Sequence, residues 1–408
     1  MLATPEIISE AATDARLAAR LSRWRNVPLY HDALRARDFF RLPVMGKSEL
    51  RRNFPANFLL PGQNLDTLLQ YKEVEIEHSS GTSEDRTAVL FGRGWWDEQE
   101  ARLLRLNPVV AAVLDKHPAA RRVTIVPPVC NGLVCFSNWN SLPARTVGRT
   151  LYVNQARIPF LITEAELARM ARETADWAPQ FLDVDPVQGA WFALYCERQG
   201  LSFPSLQFIL CSYEFVSMVH RRILERVFRV PVFNLYGSTE TGHLFMENEA
   251  GGMIPCPEAV YYEVIDVDDR GIGELVVTTL TNDIMPLLRY RLGDWVAEAG
   301  RLDGTEYLVH GRVRDGLNGP AGRRVTTWEV DQCFAGVGGV AHYQMRQTGD
   351  GRLVCQFIPD GSGPVPADLE LLRDRLEALL RPAAAMSLEL VELLPPTPSG
   401  KFRLTCRV

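Results

Sequence analysis

No Cys-x-x-Cys pair occurs among the eight cysteines of this 408-residue chain, which stand apart at 130, 135, 196, 211, 256, 333, 355 and 406. Without such pairs they are expected to be reduced thiols, mostly buried, in a protein of a reducing compartment. No Lys/Arg-rich block interrupts a net charge of −6, so the electrostatic footprint of a nucleic-acid binder is missing. No run of about 18 apolar residues is present, which excludes a membrane-spanning helix. Glu6, Glu10 and Asp14 leave the N-terminal stretch without an apolar signal core, so a cytoplasmic location is expected. The Gly-Lys-Ser/Thr ending of a Walker loop is lacking as well.

What the chain does have is ordinary globular composition, 46% hydrophobic and 23% charged, and enough length for a large core plus a second domain. Its most informative stretch runs from Val232 to Gly242. Val232 to Leu235 is a short apolar run that reads as a buried parallel strand, and Tyr236-Gly237-Ser238-Thr239-Glu240 follows at its tip. Ligands in open α/β sheets bind outside the carboxyl ends of such strands. The two glycines, Gly237 and Gly242, permit close backbone approach, the hydroxyls of Ser238 and Thr239 can reach phosphate oxygens, and Glu240 can hold Mg²⁺. A plain turn rich in Gly, Ser and Thr would look the same.

Upstream, Gln207 to Cys211 reads as a strand, Ser217 as an N-cap, and Met218 to Phe228 as a helix that returns the chain to Val232. This β-α-β unit places Ser212-Tyr213-Glu214 beside Tyr236 to Glu240, which makes Tyr213 and Glu214 candidates for a pocket wall. Lys72 to Glu77 alternates like a half-buried strand and leads into a second hydroxyl-rich loop, Ser79-Ser80-Gly81-Thr82-Ser83. Ser48 is a candidate N-cap, and the irregular segment Pro127 to Asn140 is apolar enough to line a substrate pocket or simply to pack. After Gly251-Gly252 hairpins take over, from Val260 to Thr279 with a turn at Asp268 to Gly271, ending at Asp294 just after a predicted strand. An ionised Asp there can accept two hydroxyl donors of a ribose, although an Asp in a turn is equally common. A Gly-rich stretch from Arg314 to Gly322 reads as a linker to a small α+β module, whose final Pro/Gly/Ser loop carries Lys401. Taken alone, such a lysine is a solvated surface residue.

Taken together and in order, these stretches resemble the ANL superfamily of adenylate-forming enzymes, within it the phenylacetate-CoA ligase-like branch. The landmarks are Asn26 to Tyr30, Leu42-Pro43 with Lys47, Ser79 to Ser83, Ser212 to Glu214, Tyr236 to Glu240, Tyr290 to Asp294, Gly311-Arg312 and Ser399 to Lys401. The resemblance implies an α/β protein with a large N-terminal adenylation domain, residues 1–313, built of mixed and parallel sheets flanked by helices, plus a β-rich subdomain. A hinge at 314–322, with Asp315 as its pivot, and a small mobile α+β C-terminal domain at 323–408 complete it.

The implied activity is ATP-dependent conversion of an aromatic or related small carboxylic acid to an acyl-adenylate, then transfer to coenzyme A. Transfer to an amine, a hydroxyl or a carrier protein is the alternative, and a non-catalytic nucleotide-binding homologue a third. The implied partners are the acid, ATP with Mg²⁺, and CoA or another acyl acceptor; assembly as a homodimer stays open. By the same resemblance, Ser79, Ser80, Gly81, Thr82 and Ser83 close on the terminal phosphates, and Ser212, Tyr213, Glu214 and Tyr236 flank the adenine. Gly237 and Ser238 belong to the same loop, Thr239 touches the α-phosphate, Glu240 binds the metal, Asp294 and Arg312 grip the ribose, and Lys401 meets the acyl carboxylate and the α-phosphate. Two departures stand out. Glu84-Asp85-Arg86 replaces the usual Gly-Lys-Pro, putting two anions where a triphosphate would sit, so weaker ATP binding is expected unless Arg86 compensates. The Cys/His ligands of a branch-typical zinc site are missing, so no structural zinc is expected.

Overall fold

A computed structural model describes residues 10–36, 39–79, 86–128, 141–301, 304–361, 363–382 and 386–408. Chain contacts divide it into two compact units, residues 1–107 with 236–308 and residues 108–235 with 309–408.

In the first unit, antiparallel pairing dominates. The hairpin Val260–Ile265 with Ile272–Thr279 is continued by Tyr290–Arg301, and Met253–Pro255 pairs with Gly242–Glu247. The turn at Asp268 forms as the sequence predicts, with its carboxylate accepting from the amides of Arg270 and Ile272. Helix Trp95–Leu104 packs on Gly242–Glu247, where Trp95 stacks on Phe91 at 4.6 Å. A separate two-stranded ribbon, Val74–His78 with Ala88–Gly92, carries the loop that follows Ser79. The entry helix is Glu10–Trp24; the short helix Lys47–Arg51 begins after Gly46, so Ser48 lies inside it and is not the N-cap expected. Glu49 reaches back to accept from the Gly46 amide at 2.8 Å, the half of a capping box that the third helical residue supplies.

The second unit is built on a parallel sheet. Thr150–Tyr152, Arg122–Ile125, Phe181–Val184, Phe208–Cys211 and Val232 onwards are parallel neighbours in that order. Chain order therefore reverses between Arg122–Ile125 and Phe181–Val184, which makes the crevice beyond their carboxyl ends the topological switch point. Helices Glu164–Trp177, Pro186–Arg198 and Met218–Phe228 are capped by Thr163, Asp185 and Ser217. The C-terminal residues form their own four-stranded sheet, ordered Ser387–Leu390, Leu353–Pro359, Val340–Gln347, Thr405–Arg407, with helix Pro366–Leu380. Its buried side chains, Val340, Tyr343 and Met345 among them, join Val219, Ile223 and Val184 in one continuous apolar core. The stretch read as a linker is folded: Leu317 is fully buried and pairs with Val325.

Six cysteines, 196, 211, 256, 333, 355 and 406, are buried free thiols. Cys130 and Cys135 lie outside the described residues. No described helix is long and apolar enough to cross a membrane.

Candidate functional site

Chemistry-bearing residues gather in two sets, one in each unit. In the first unit the strand read as Val232 to Leu235 continues through Ser238, turns over Thr239, Glu240 and Thr241, and returns as Gly242–Glu247. Tyr236, Gly237 and Ser238 are thus strand residues, held by a hairpin instead of a loose loop. Only glycine fits at 237, because a Cβ there would lie 2.3 Å from the carbonyl oxygen of Gly242. Ser238 Oγ and Thr241 Oγ1 bond each other at 2.9 Å, which ties the turn together, and Thr239 is half-buried at its tip.

Tyr236 donates its hydroxyl to Oδ2 of Asp294 at 2.7 Å. Asp294 does not follow a strand, as the sequence suggested; it sits inside Tyr290–Arg301, where the register to Ile272–Thr279 shifts and Gly293 takes φ +80°. That bulge aims a 4%-exposed carboxylate at Tyr236.

Glu240 is 5% exposed, and the ammonium of Lys47 lies 3.0 Å from its Oε1, close enough for an ion pair but without the alignment of a hydrogen bond. Lys47 is held there because Met45 bridges to Tyr290 and exchanges backbone hydrogen bonds with Arg289 and Arg291. Burial alone would raise the Glu240 carboxyl. The charge and contact of Lys47, with the Glu240 amide and Ser238, outweigh burial and hold it below the ordinary glutamate range.

Glu240 with its hydroxyl neighbours is a hard oxygen donor set that suits Mg²⁺, which takes one or two carboxylates and completes its shell with phosphate and water. Among the described residues no group of three or more His, Cys, Asp or Glu could hold a metal ion. Ser79 is buried and exchanges hydrogen bonds with Thr87, its Oγ accepting from the Thr87 amide at 2.9 Å. Ser80, Gly81, Thr82 and Ser83, with Glu84 and Asp85, lie outside the described residues, as do residues 129–140 of the expected pocket lining.

In the second unit the chain leaves Phe208–Cys211 through a tight three-residue turn. The Glu214 amide donates to the Ser212 carbonyl at 2.9 Å, and Tyr213 between them takes φ +73°, a strained conformation for any residue but glycine. The turn leaves the Tyr213 ring 44% exposed and presents its carbonyl to Lys401, whose Nζ donates to it at 2.5 Å. The next amide, Phe402 N, donates to Glu214 Oε1 at 2.7 Å, and the next side chain, Arg403, pairs with Asp315 at 2.6 Å. Ser212 Oγ donates to Asp183 at 2.7 Å. Arg312 ends the strand Gly304–Arg312 and adds its charge to the surroundings of Asp315.

One residue that sequence reading missed joins this set. Asp185 follows the strand Phe181–Val184, which also went unread, and it is only 1% exposed. Burial raises its carboxyl to about 6 against the lowering effect of its helix amides and Lys401, and burial with the Asp185 charge drives the neighbouring Glu214 well above its ordinary range. A strand-end carboxylate before a proline was the available signal.

The fold has known counterparts. A 2-hydroxyisobutyryl-CoA ligase in the postadenylation state is 18% identical and superposes with a TM-score of 0.71, over 98% of this chain and 89% of that one. The chain has the fold of these CoA ligases. An open conformation of the ligase with 2-HIB-AMP and CoA gives a TM-score of 0.56 at 19% identity, over 98% of this chain and 91% of that one. An anthranilate CoA ligase, AuaEII, with anthranoyl-AMP gives 0.55 at 16%, over 80% and 65%. No family model and no curated protein matches the chain. In this ligase fold Lys47 and Lys401 are two of only four lysines, with Lys72 and Lys116, and each faces a carboxylate of its own set.

Proposed function

We propose that the chain is an acid:CoA ligase, activating an aromatic or related small carboxylic acid with ATP and passing the acyl group to coenzyme A. Lys401 carries this reading. On a CoA-ligase fold it reaches the Tyr213 carbonyl beyond the carboxyl end of a parallel strand, where ligands of open α/β sheets bind.

In the first half-reaction an oxygen of the acyl carboxylate bonds to the α-phosphorus and the bond to pyrophosphate breaks, the leaving group taking the electron pair. Two anions meet, so fixed cations and hydroxyl donors lower the barrier. Lys401 serves as a cation to the carboxylate and α-phosphate, not as a base, and Thr239 offers a hydroxyl to the same phosphate. Asp294, oriented by Tyr236, accepts from the ribose diol, and Arg312 donates to the ribose oxygens. Glu240 would hold Mg²⁺, which when bound neutralises phosphate charge. In the second half-reaction the CoA thiol attacks the acyl carbon, AMP leaves, and the thiol proton goes to solvent. Lys401 must then withdraw, about a pivot at Asp315.

Pyrophosphate exchange across a panel of carboxylic acids, followed by CoA-dependent AMP release, tests the proposal. Lys401→Ala should cripple pyrophosphate exchange and spare thiolysis of a supplied acyl-adenylate. AMP release that needs an amine, a hydroxyl compound or a carrier protein would keep the first half-reaction and change the acceptor. No exchange with any acid would favour a nucleotide-binding homologue without turnover, the reading that Glu84 and Asp85 motivate.

A further inference from the structure

Asp185 stands at the switch point of the parallel sheet. Its amide donates to the Ile125 carbonyl at 2.9 Å, which joins the ends of the two strands between which chain order reverses. Its Oδ1 caps helix Pro186–Arg198, accepting from the amides of Val187 and Gln188 at 3.0 Å each. Oδ2 is buried and has no partner at hydrogen-bond geometry, although the Glu214 carboxyl is its neighbour. A helix cap needs one oxygen, so the second is not explained by capping.

The Lys401 loop closes over this crevice. A Cβ on Gly400 would touch Pro127, which follows Arg122–Ile125, and Phe402 and Lys401 bond to Glu214 and Tyr213. The charged groups facing the loop are Asp185 and Glu214 from the strand ends, Arg157, which donates to the Pro398 carbonyl, and Asp315 beside Arg403. We propose that Asp185 and Glu214 are positioning residues for Lys401: Glu214 holds the loop through the Phe402 amide, and Asp185 supplies the buried negative charge that keeps the ammonium charged and in place. This rests on the catalytic role given to Lys401 above.

The electrostatics follow from counting charges. One ammonium does not neutralise two carboxylates withdrawn from water, so the pair retains a proton and offers a single negative charge to Lys401. An incoming acyl carboxylate competes with that charge for the same ammonium. The pair therefore holds Lys401 ready without binding it as tightly as two free carboxylates would.

Asp185→Asn/Glu214→Gln separates this role from capping and loop docking, because asparagine still caps the helix and glutamine still accepts from the Phe402 amide, while no carboxyl is left to carry the charge. The readout is competitive acetylation of the full-length protein by acetic anhydride at a series of pH values, with Lys72 and Lys116 as internal references and peptide mass spectrometry. Removal of the buried charge should lower the apparent pKa of Lys401 by about one unit, so that it is labelled about tenfold faster near neutral pH while both references stay unchanged. Asp185→Ser/Glu214→Gln, in which serine caps the helix, serves if the first double variant does not fold, and either single variant, Asp185→Asn or Glu214→Gln, leaves one carboxyl to ionise and should label Lys401 as wild type does. Wild-type labelling of Lys401 in a folded double variant overturns the proposal. Lys401→Ala with undiminished exchange would instead overturn the catalytic reading, and labelling alone would still decide whether the pair holds the lysine.

Discussion

The ammonium of Lys47 lies 3.0 Å from Oε1 of Glu240, a carboxylate with 5% exposure. This ion pair keeps a glutamate ionised where burial would favour its acid form. A group held below its unfolded pKa contributes stability that is present above the unfolded value, 4.5, and is lost as pH falls. In Lys47→Met burial, the largest cause, is opposed only by the Glu240 amide and Ser238, so ionising Glu240 becomes less favourable as pH rises. The variant should be less stable than wild type by about 1–2 kcal/mol at pH 7, a value kept low because the Lys47 side chain is partly solvated, and the deficit should be smaller at pH 4. Urea unfolding at the two pH values measures this; an equal deficit at both would refute it.

Tyr236 gives Asp294 a 2.7 Å hydrogen bond inside the first unit. Tyr236→Phe leaves a buried carboxylate oxygen without that donor and should cost about 1–3 kcal/mol of stability. If Asp294 holds the ribose, KM for ATP should rise several-fold with a smaller change in kcat. A fall in kcat at unchanged KM would assign the tyrosine to the chemical step instead.

Gly237→Ala tests the hairpin. The added methyl would press on the Gly242 carbonyl, which is backbone and does not rotate away, so the turn carrying Thr239 and Glu240 must open. A loss of about 2–3 kcal/mol is expected. Because Thr239 and Glu240 move together, pyrophosphate exchange should fall more than the unfolding curve implies. Full exchange in a destabilised protein would show that the turn does not act in the first half-reaction.

His220 and His342 are buried against each other, Nε2 to Nδ1 at 3.1 Å, with no partner for His220 Nδ1 or His342 Nε2. Burial holds His220 neutral down to about pH 3, and burial with its neighbour lowers His342 as well. Their folded pKa values lie below the unfolded 6.5, so the stability they contribute is present above pH 6.5 and lost as pH falls toward 3. Each can contribute up to about 1.4 kcal/mol per pH unit in that window. The double variant His220→Leu/His342→Leu should show a flatter stability profile between pH 6.5 and 4; a profile parallel to wild type would exclude the pair as the source.

Local signals were legible. Helix Met218–Phe228 and its Ser217 cap follow from a hydroxyl before an amphipathic run, and the hairpin at Asp268 from its turn residues. Ser48 misled because Glu49 reaches back to the Gly46 amide and the helix starts two residues earlier. Asp294 misled because a bulge continues the strand past the residues that read as its end. Strands Phe181–Val184 and Thr405–Arg407 went unread, being short, one holding an Asp and the other nearly all polar; parallel neighbours make them strands.

Sequence alone determined the alternation of strands and helices, the hydroxyl-rich tip after Val232 and the Lys401 loop, since hydrogen-bonding patterns along a few residues encode them. Only the tertiary structure decided that Lys47 answers Glu240, that Tyr236 orients Asp294, and that Lys401 docks on Tyr213 above Glu214 and Asp185. Those pairings depend on which buried charges the fold brings together, and the strength of a charge interaction is set by the water the fold excludes.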